Sequence, residues 1–428
     1  MTETSAETFE FAQHARHSTG DTEVTRSSPI VFAGGVVWLS LVLSGVLQYF
    51  SGVNLYYPFV AIFLPFFLLF CLPQMVRLIT NVQFWMWMLT VIIPVFLYAF
   101  GRTGSMGAAQ SLKQRTVYFS LVAGSAVILG MPDARRILRT GSLLVLAWAI
   151  PVCFVELLVP NLFSTAEGRS AGLYGNPNAA SMAILICVLG AVDLRRQTTR
   201  SLLLVSLATA AVFTTFSRSG ILFAGALWAL HAFLPARAEG GLRGPQRLIV
   251  IAFLVITGIA AVAWLAQRVV LSDAAEMRLH SILAGDVSDG SSELRQDLAE
   301  RGLAMLADEP LGRGVGYVDG MERLPHNTYL YIAIDYGLPG LAFYIVLLLA
   351  GFLRSAAAGL QRGANAILLA LLLVYASIFT HYVAGTTFYS VAFAAVLTGA
   401  LILPLDSRAS TRSRTGSAPA LAVPIPMR

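Results

Sequence analysis

Long apolar runs separated by short polar segments occupy most of the chain. A helix needs roughly 20 apolar residues to cross a bilayer, within a range of about 17–25. Twelve runs are candidates: 29–50, 57–73, 83–100, 116–131, 141–160, 179–192, 201–216, 220–234, 248–266, 326–353, 364–382 and 387–404. The pattern predicts an all-α polytopic membrane protein with about 12 transmembrane helices.

One long polar segment, residues 267–325, separates the ninth and tenth runs and holds 11 of the 23 acidic residues. We predict a large extracytoplasmic loop here, with a helix over 292–307 that ends at Asp308-Glu309-Pro310. The predicted divisions are a disordered cytoplasmic tail (1–28), transmembrane spans 1–9 (29–266), the periplasmic loop (267–325), spans 10–12 (326–404) and a second cytoplasmic tail (405–428).

The distribution of basic residues predicts the orientation. With the N-terminus in the cytoplasm, 18 of the 29 basic residues fall in inner loops and tails, as the positive-inside rule expects. Both termini are therefore predicted to be cytoplasmic. With 57% hydrophobic and 12% charged residues, the chain cannot be a soluble enzyme, a disordered chain or a nucleic-acid-binding domain. Membrane lipids are its expected surroundings, and no nucleic acid is an expected partner.

Positive charges in the short outer loops oppose the positive-inside rule. Arg218 lies in a tight turn between two runs, and Arg169 lies in a Gly- and Asn-rich loop over 167–178. An arginine at the membrane surface needs an anionic partner or room to snorkel. The alternatives are a headgroup contact for Arg218 and an ordinary loop paired through Glu167 for Arg169.

A third outer group of basic residues, Arg102, Lys113 and Arg115, falls in a longer loop that contains no recognisable motif. We predict structural or headgroup contacts for these three side chains.

His326 opens a run of 28 residues, about 42 Å as one helix, which exceeds the hydrocarbon thickness of roughly 30 Å. A break at Gly337-Leu338-Pro339-Gly340 explains the excess and places Asp335 near the interface. His326 then lies at a helix start, where amides and the helix dipole favour phosphate oxygens. Together, His326 and the outer arginines suggest phosphate-ester chemistry on a lipid-borne substrate.

Around the outer arginines and His326, the chain resembles the O-antigen ligase and polymerase superfamily of bacterial membrane enzymes. The resemblance covers roughly residues 165–353. The matching stretches are 169–180, Ser217-Arg218-Ser219-Gly220, Arg295 with the helix down to Pro310 and its glycines, and His326-Asn327-Thr328-Tyr329-Leu330 with Tyr336-Gly337-Leu338-Pro339-Gly340.

The resemblance implies roles for particular residues. Arg169, Arg218 and Arg295 would clamp the diphosphate of the substrate, and His326 would help to deprotonate the acceptor hydroxyl. The motif residues Asn176, Asn178, Asn327 and Arg313 would support them. The family needs no metal and no cofactor. Asp286 and Asp289 are spaced like a metal-ligand pair, but a solvated acidic surface explains them better.

The implied activity is inverting, metal-independent glycan transfer from an undecaprenyl-diphosphate-linked glycan to an acceptor hydroxyl. The site would lie on the periplasmic face of the bacterial inner membrane. Three acceptors remain open: lipid A-core for an O-antigen ligase, which we favour; the growing polysaccharide for a polymerase; and a protein for an O-oligosaccharyltransferase.

A 12-helix transporter is the alternative from another class. It is disfavoured because the interior charges Glu156 and Asp335 fall toward the outer side, and no polar residue marks a midplane pathway.

Overall fold

The structure, a computed structural model, describes residues 27–50, 55–99, 101, 108–164, 168–195, 198–234, 276–277, 290–323, 325–380 and 386–402. Within these ranges the protein is all-α, with fourteen α-helices, two short 3-10 helices and no strand. In chain order the α-helices are α1 (Pro29–Leu43), α2 (Val46–Tyr49), α3 (Tyr56–Phe70), α4 (Leu72–Ile79), α5 (Val82–Ala99), α6 (Ala108–Leu129), α7 (Ala134–Leu158), α8 (Pro177–Ala191), α9 (Thr199–Thr214), α10 (Arg218–Phe233), α11 (Gly290–Asp308), α12 (Thr328–Ala357), α13 (Gly359–Phe379) and α14 (Thr387–Thr398).

Every predicted apolar run within the described residues is helical; the ninth run, 248–266, lies outside them. Among the residues that the structure describes, three helical segments are long and apolar enough to cross a membrane: Ala134–Leu158, Thr328–Ala357 and Arg362–Phe379. The pair α3 and α4, bent by 95°, makes a fourth if it is one broken span. Several other apolar helices are shorter. The count of twelve spans and the placement of the large loop stay predictions.

The centre of the bundle is formed by α8 and α14, in which nearly every residue is buried. A helix that is apolar on all sides needs apolar surroundings on all sides. Helices α7, α9, α10 and α13 pack around α8. By contrast, α3 and α5 expose large apolar side chains such as Leu69 and Phe96, as expected for helices that contact lipid.

Contacts between antiparallel neighbours define two ends of the bundle. The hydroxyl of Thr328 at the start of α12 donates to the carbonyl of Thr380 after α13, at 2.9 Å. The amide of Ser170, before α8, donates to the carbonyl of Thr214 at the end of α9, at 3.1 Å. We call the end at which α8, α10, α12 and α14 begin the predicted periplasmic face, and the opposite end the predicted cytoplasmic face.

On the predicted cytoplasmic face, buried polar side chains hold the last turn of α8. The guanidinium of Arg135 donates to the carbonyls of Gly190 and Val192, both at 3.2 Å. The Asn365 side chain of α13 donates to the carbonyl of Leu189 at 2.8 Å. The last carbonyls of a helix lack intrahelical partners, so these donors complete the end of α8.

The predicted break in α12 is confirmed at Gly337, whose backbone has φ 70° and ψ −171°. The loop after α11 packs into this break. A Cβ on Gly337 would lie 2.6 Å from the Cα of Leu311, and one on Gly312, whose φ is 85°, would lie 2.7 Å from the carbonyl oxygen of Asp335. Two glycines with left-handed backbones therefore interlock where no side chain would fit.

The helix predicted over 292–307 is also confirmed, as α11. The placement of Lys113 and Arg115 in a loop is wrong, because both lie in α6. This helix begins eight residues before the predicted run at 116, and its first turns are too polar for hydropathy to detect. Arg102, Glu167, Asp286 and Asp289 lie outside the described residues.

Candidate active site

A buried carboxylate orders the loop that carries Arg169. Glu156, at the end of α7, is 2% exposed. One carboxylate oxygen accepts hydrogen bonds from the amides of Phe163 (3.4 Å) and Ser164 (2.8 Å), and the other from those of Ala171 (2.7 Å) and Gly172 (2.6 Å). Because a buried charge is stable only when its hydrogen bonds are satisfied, the chain is held around this carboxylate.

Arg169 connects this loop to the turn between α9 and α10. Its Nε–H donates to the carbonyl of Thr215 at 2.9 Å, and a terminal nitrogen donates to the side-chain oxygen of Asn178 at 2.9 Å. The neighbouring Ser170 amide bonds to the carbonyl of Thr214. These bonds bring two segments that the sequence places about 45 residues apart into one surface.

The α9–α10 turn places Arg218 at the first position of α10. Phe216 adopts φ 46°, which is uncommon and strained for a bulky residue. Ser217 is the N-cap, and its hydroxyl accepts from the Gly220 amide at 3.2 Å. A cation is electrostatically unfavourable at a helix N-terminus, whereas an anion is favoured there. The first turn of α10 is therefore a place where an anion would be stabilised.

The start of α8 lies beside the start of α10. Asn176 is the N-cap of α8, and its side-chain oxygen accepts from the amides of Asn178 (2.9 Å) and Ala179 (3.4 Å). A Cβ on Gly220 would lie 2.5 Å from the Cβ of Ser181, so the first turns of the two helices are in close contact. Two helix N-termini therefore face the same region of the predicted periplasmic face.

His326 is half-buried and directly precedes Asn327, the N-cap of α12. The side-chain oxygen of Asn327 accepts from the Leu330 amide at 3.2 Å. The prediction that His326 lies at a helix start is confirmed, although the helix itself begins two residues later, at Thr328. The role of the imidazole stays a prediction.

The end of α13 lies between the starts of α12 and α10. The hydroxyl of Tyr329 donates to the carbonyl of Val374 at 3.1 Å. The ring of Tyr375 lies 6.1 Å, centroid to centroid, from that of Phe223 in α10. Through α13, the segment with His326 and the segment with Arg218 belong to one face of the bundle.

Residues 202–345 match the sequence profile of the O-antigen ligase family. This match supports membership of the O-antigen ligase superfamily, and we call residues 202–345 the ligase-family domain. The matched segment contains Arg218, Arg295, Arg313, His326 and Asn327, whereas the loop of Arg169 and the start of α8 precede it. No curated protein matches the chain. The ligase-family domain supports a membrane enzyme that handles glycans.

Two further arginines of the ligase-family domain lie on the predicted outer segment. Arg295 is half-buried on α11, a helix that packs against α12. Arg313 stacks over the ring of Tyr317 (5.2 Å to the centroid) and has its guanidinium 3.8 Å from Asp308 and 3.9 Å from Glu309. The charge of Arg313 is therefore balanced by acids on its own loop.

Sequence reasoning missed a buried ion pair that joins the ligase-family domain to α6. Asp335 lies 3.2 Å from the guanidinium of Arg115 in α6, with both side chains at most 4% exposed. The carboxylate also accepts from the amides of Gly316 (3.1 Å) and Val318 (3.0 Å). The ring of Tyr336 lies beneath the guanidinium, 4.8 Å away. This cluster fixes the loop between α11 and α12 against α6.

Within the part of the chain that the structure describes, no group of three or more His, Cys, Asp or Glu side chains is arranged to hold a metal ion. Glu156 was recognised in the sequence only as a charge toward the outer side. The available signal is its position: Glu156 is the one acid in the run 141–160, which is the run that precedes the glycine- and asparagine-rich loop.

Proposed function

We propose that the protein is a glycosyltransferase that moves a glycan from an undecaprenyl-diphosphate carrier to an acceptor hydroxyl on the periplasmic face of the inner membrane. Attachment of O-antigen to lipid A-core is the favoured reaction. A polymerase that extends the polysaccharide, or a protein O-oligosaccharyltransferase, is the alternative within the same superfamily.

The observation that carries this proposal is the convergence of Arg169 and Arg218 with the N-termini of α8 and α10, joined by the Arg169–Thr215 hydrogen bond. Guanidinium groups bind phosphate through paired hydrogen bonds, and helix N-termini add amide donors and a positive potential. A diphosphate is the anion that suits this combination in a ligase-family protein. Arg295 is the third proposed ligand.

The proposed mechanism is a single displacement. The acceptor oxygen forms a bond to the anomeric carbon while the bond from that carbon to the diphosphate oxygen breaks, so the configuration inverts. The arginines stabilise the charge that grows on the leaving diphosphate, an electrostatic effect that often dominates catalysis. His326 takes the proton of the acceptor hydroxyl. Asn176 and Asn327 cap the starts of α8 and α12, Asn178 accepts a hydrogen bond from Arg169, and no metal or cofactor takes part.

The proposal is tested by His326→Ala and Arg218→Ala in the full-length protein, assayed for surface glycan in a strain that lacks the wild-type gene. Both variants should accumulate in the membrane and lose transfer by about 10²–10³-fold. Arg301→Ala is the matched control, because Arg301 is exposed on α11 and pairs only with its neighbour Asp297 in the contacts seen here. Full transfer by both site variants would refute the assigned site.

Two simpler measurements refine the proposal. In a deletion strain, polysaccharide left on the carrier indicates a ligase, while single repeat units on the core indicate a polymerase. Addition of EDTA should leave transfer unchanged, and loss of activity would reopen the case for Asp286 and Asp289 as metal ligands.

A further inference from the structure

We infer that Glu156 is a positioning residue, which folds the loop between α7 and α8 so that Arg169 faces the diphosphate. The inference rests on the proposed function. Glu156 is buried and does not belong to the matched 202–345 segment. Glu156 would affect substrate binding only through Arg169, without touching the substrate itself.

The geometry supports this role because the carboxylate binds the chain on both sides of Arg169. One oxygen holds the amides of residues 163 and 164, and the other holds those of residues 171 and 172. Arg169 lies within the segment between these two anchors. Loss of either pair of hydrogen bonds would free one side of this loop, and the loop determines where the Arg169 guanidinium lies.

The location of the carboxylate is itself unfavourable for the helix that carries it. Glu156 lies in the last turn of α7, where the helix dipole is negative and a basic residue would be preferred. The four amides of the loop offset this repulsion and the cost of burial. The side chain therefore serves the loop rather than the stability of α7.

The position of the loop matters for the site because Arg169 has partners on two other elements. Its guanidinium contacts the carbonyl of Thr215, three residues before Arg218, and the side chain of Asn178 in the first turn of α8. A displaced loop would move one arginine of the proposed clamp relative to the other. Loss of bidentate geometry would then weaken the diphosphate contact even though every arginine is still present.

Glu156→Gln is the sharpest variant, because it keeps the size of the side chain and removes one acceptor. Whichever way the amide is oriented, its NH₂ group faces one pair of backbone N–H groups. One anchor is lost and the other is retained. Glu156→Asp keeps both oxygens on a shorter side chain and should retain more binding than Glu156→Gln.

The experiment measures the affinity of full-length protein in lipid nanodiscs for undecaprenyl diphosphate. We expect Glu156→Gln to bind at least roughly tenfold more weakly than wild type. Arg169→Ala should also bind more weakly, and the double variant should be no weaker than Arg169→Ala alone. Glu300→Gln, an exposed position on α11, should bind as wild type does. Hydrogen exchange over 168–172 should rise in Glu156→Gln.

An unchanged affinity of Glu156→Gln for undecaprenyl diphosphate would overturn the inference. So would a double variant in which the affinity losses of the two single variants add, because additivity means that Glu156 does not act through Arg169. If Glu156→Gln does not accumulate in the membrane, the affinities of Glu156→Asp and of Glu156→Asp combined with Arg169→Ala are compared in the same way. A wild-type protein that does not bind undecaprenyl diphosphate overturns the proposed function instead, and the exchange comparison then decides whether Glu156 orders the loop.

Discussion

Two arginines on the predicted cytoplasmic face contact the C-terminal ends of helices, whereas two on the predicted periplasmic face lie at N-terminal ends. On the predicted cytoplasmic face, Arg135 donates to carbonyls at the end of α8, and Arg354 donates to the carbonyls of Leu397 and Thr398 at the end of α14. The negative end of each helix dipole favours these cations. Both arginines have protein acceptors that match them, so we assign them to stability.

On the predicted periplasmic face, Arg218 is the first residue of α10, and Arg169 is bonded to Asn178 in the first turn of α8. Here the helix dipoles oppose the cations, whereas an anion would be stabilised by them. We therefore propose a stabilising role for the two arginines at helix C-termini and an anion-binding role for the two at helix N-termini. Four predictions test or sharpen this difference.

The largest effect is expected from Arg135→Met, which removes a buried guanidinium and its hydrogen bonds to the carbonyls at the end of α8. We expect the free energy of unfolding to fall by about 3 kcal/mol. Thermal unfolding of the purified protein should show this loss, while transfer per folded molecule stays near the wild-type value. Arg139→Met, an exposed arginine one turn along α7, is the matched control and should change little.

Arg218→Lys should show the opposite pattern. The positive charge remains but the planar fork that binds phosphate bidentately is lost, so transfer should fall by about 10–100-fold. Stability should change by less than about 0.5 kcal/mol, the usual range for a surface substitution. Arg200→Lys, in the first turn of α9 on the opposite face, is the control. A stability loss in Arg218→Lys that matches its activity loss would contradict the comparison.

An intermediate effect is expected from Gly337→Ala. A Cβ at this left-handed position would meet the Leu311 backbone, so unfolding should become easier by about 1–3 kcal/mol. Transfer should fall as well, because the α11–α12 loop must move. Gly225→Ala in α10, where a Cβ meets no atom within 4 Å, is the matched control. Normal stability in Gly337→Ala would show that the interlocked glycines can separate without cost.

The smallest effect is expected from Asn176→Asp, which changes one atom at the N-cap of α8. The carboxylate caps the helix as well as the amide does, so stability should hold or rise by a few tenths of a kcal/mol. Its negative charge beside Arg169 should weaken diphosphate binding severalfold, less so at high salt. Thr198→Asp adds the same charge at the N-cap of α9 on the other face. Equal losses in both variants would refute an anion site at α8.

The sequence predicted helices well and tertiary partners poorly. Apolar runs located the helices because burial and lipid contact both require continuous apolar surface, and Gly337 was found because a 28-residue run exceeds the bilayer. The Arg115–Asp335 pair could not be found in this way, since its members lie 220 residues apart and no local pattern links them.

For the site, chemistry and placement indicated Arg169, Arg218 and His326 as candidates. The four hydrogen bonds to Glu156 depend on how the chain returns after α7, which hydropathy does not report. The contrast between Arg135 and Arg218 was equally hidden, because a positive-inside count treats every arginine alike and says nothing about which helix end it meets.

The Arg115–Asp335 pair has a consequence for how such proteins diversify. The recognisable segment, 202–345, contains Asp335 but not Arg115, and breaking a buried ion pair by removing one partner costs about 3–5 kcal/mol. A chimera that grafted this segment onto an unrelated set of preceding helices would inherit an uncompensated buried charge. A chimera built from this protein therefore has to take α6 together with α12, and the unit that folds intact is larger than the stretch that sequence similarity outlines.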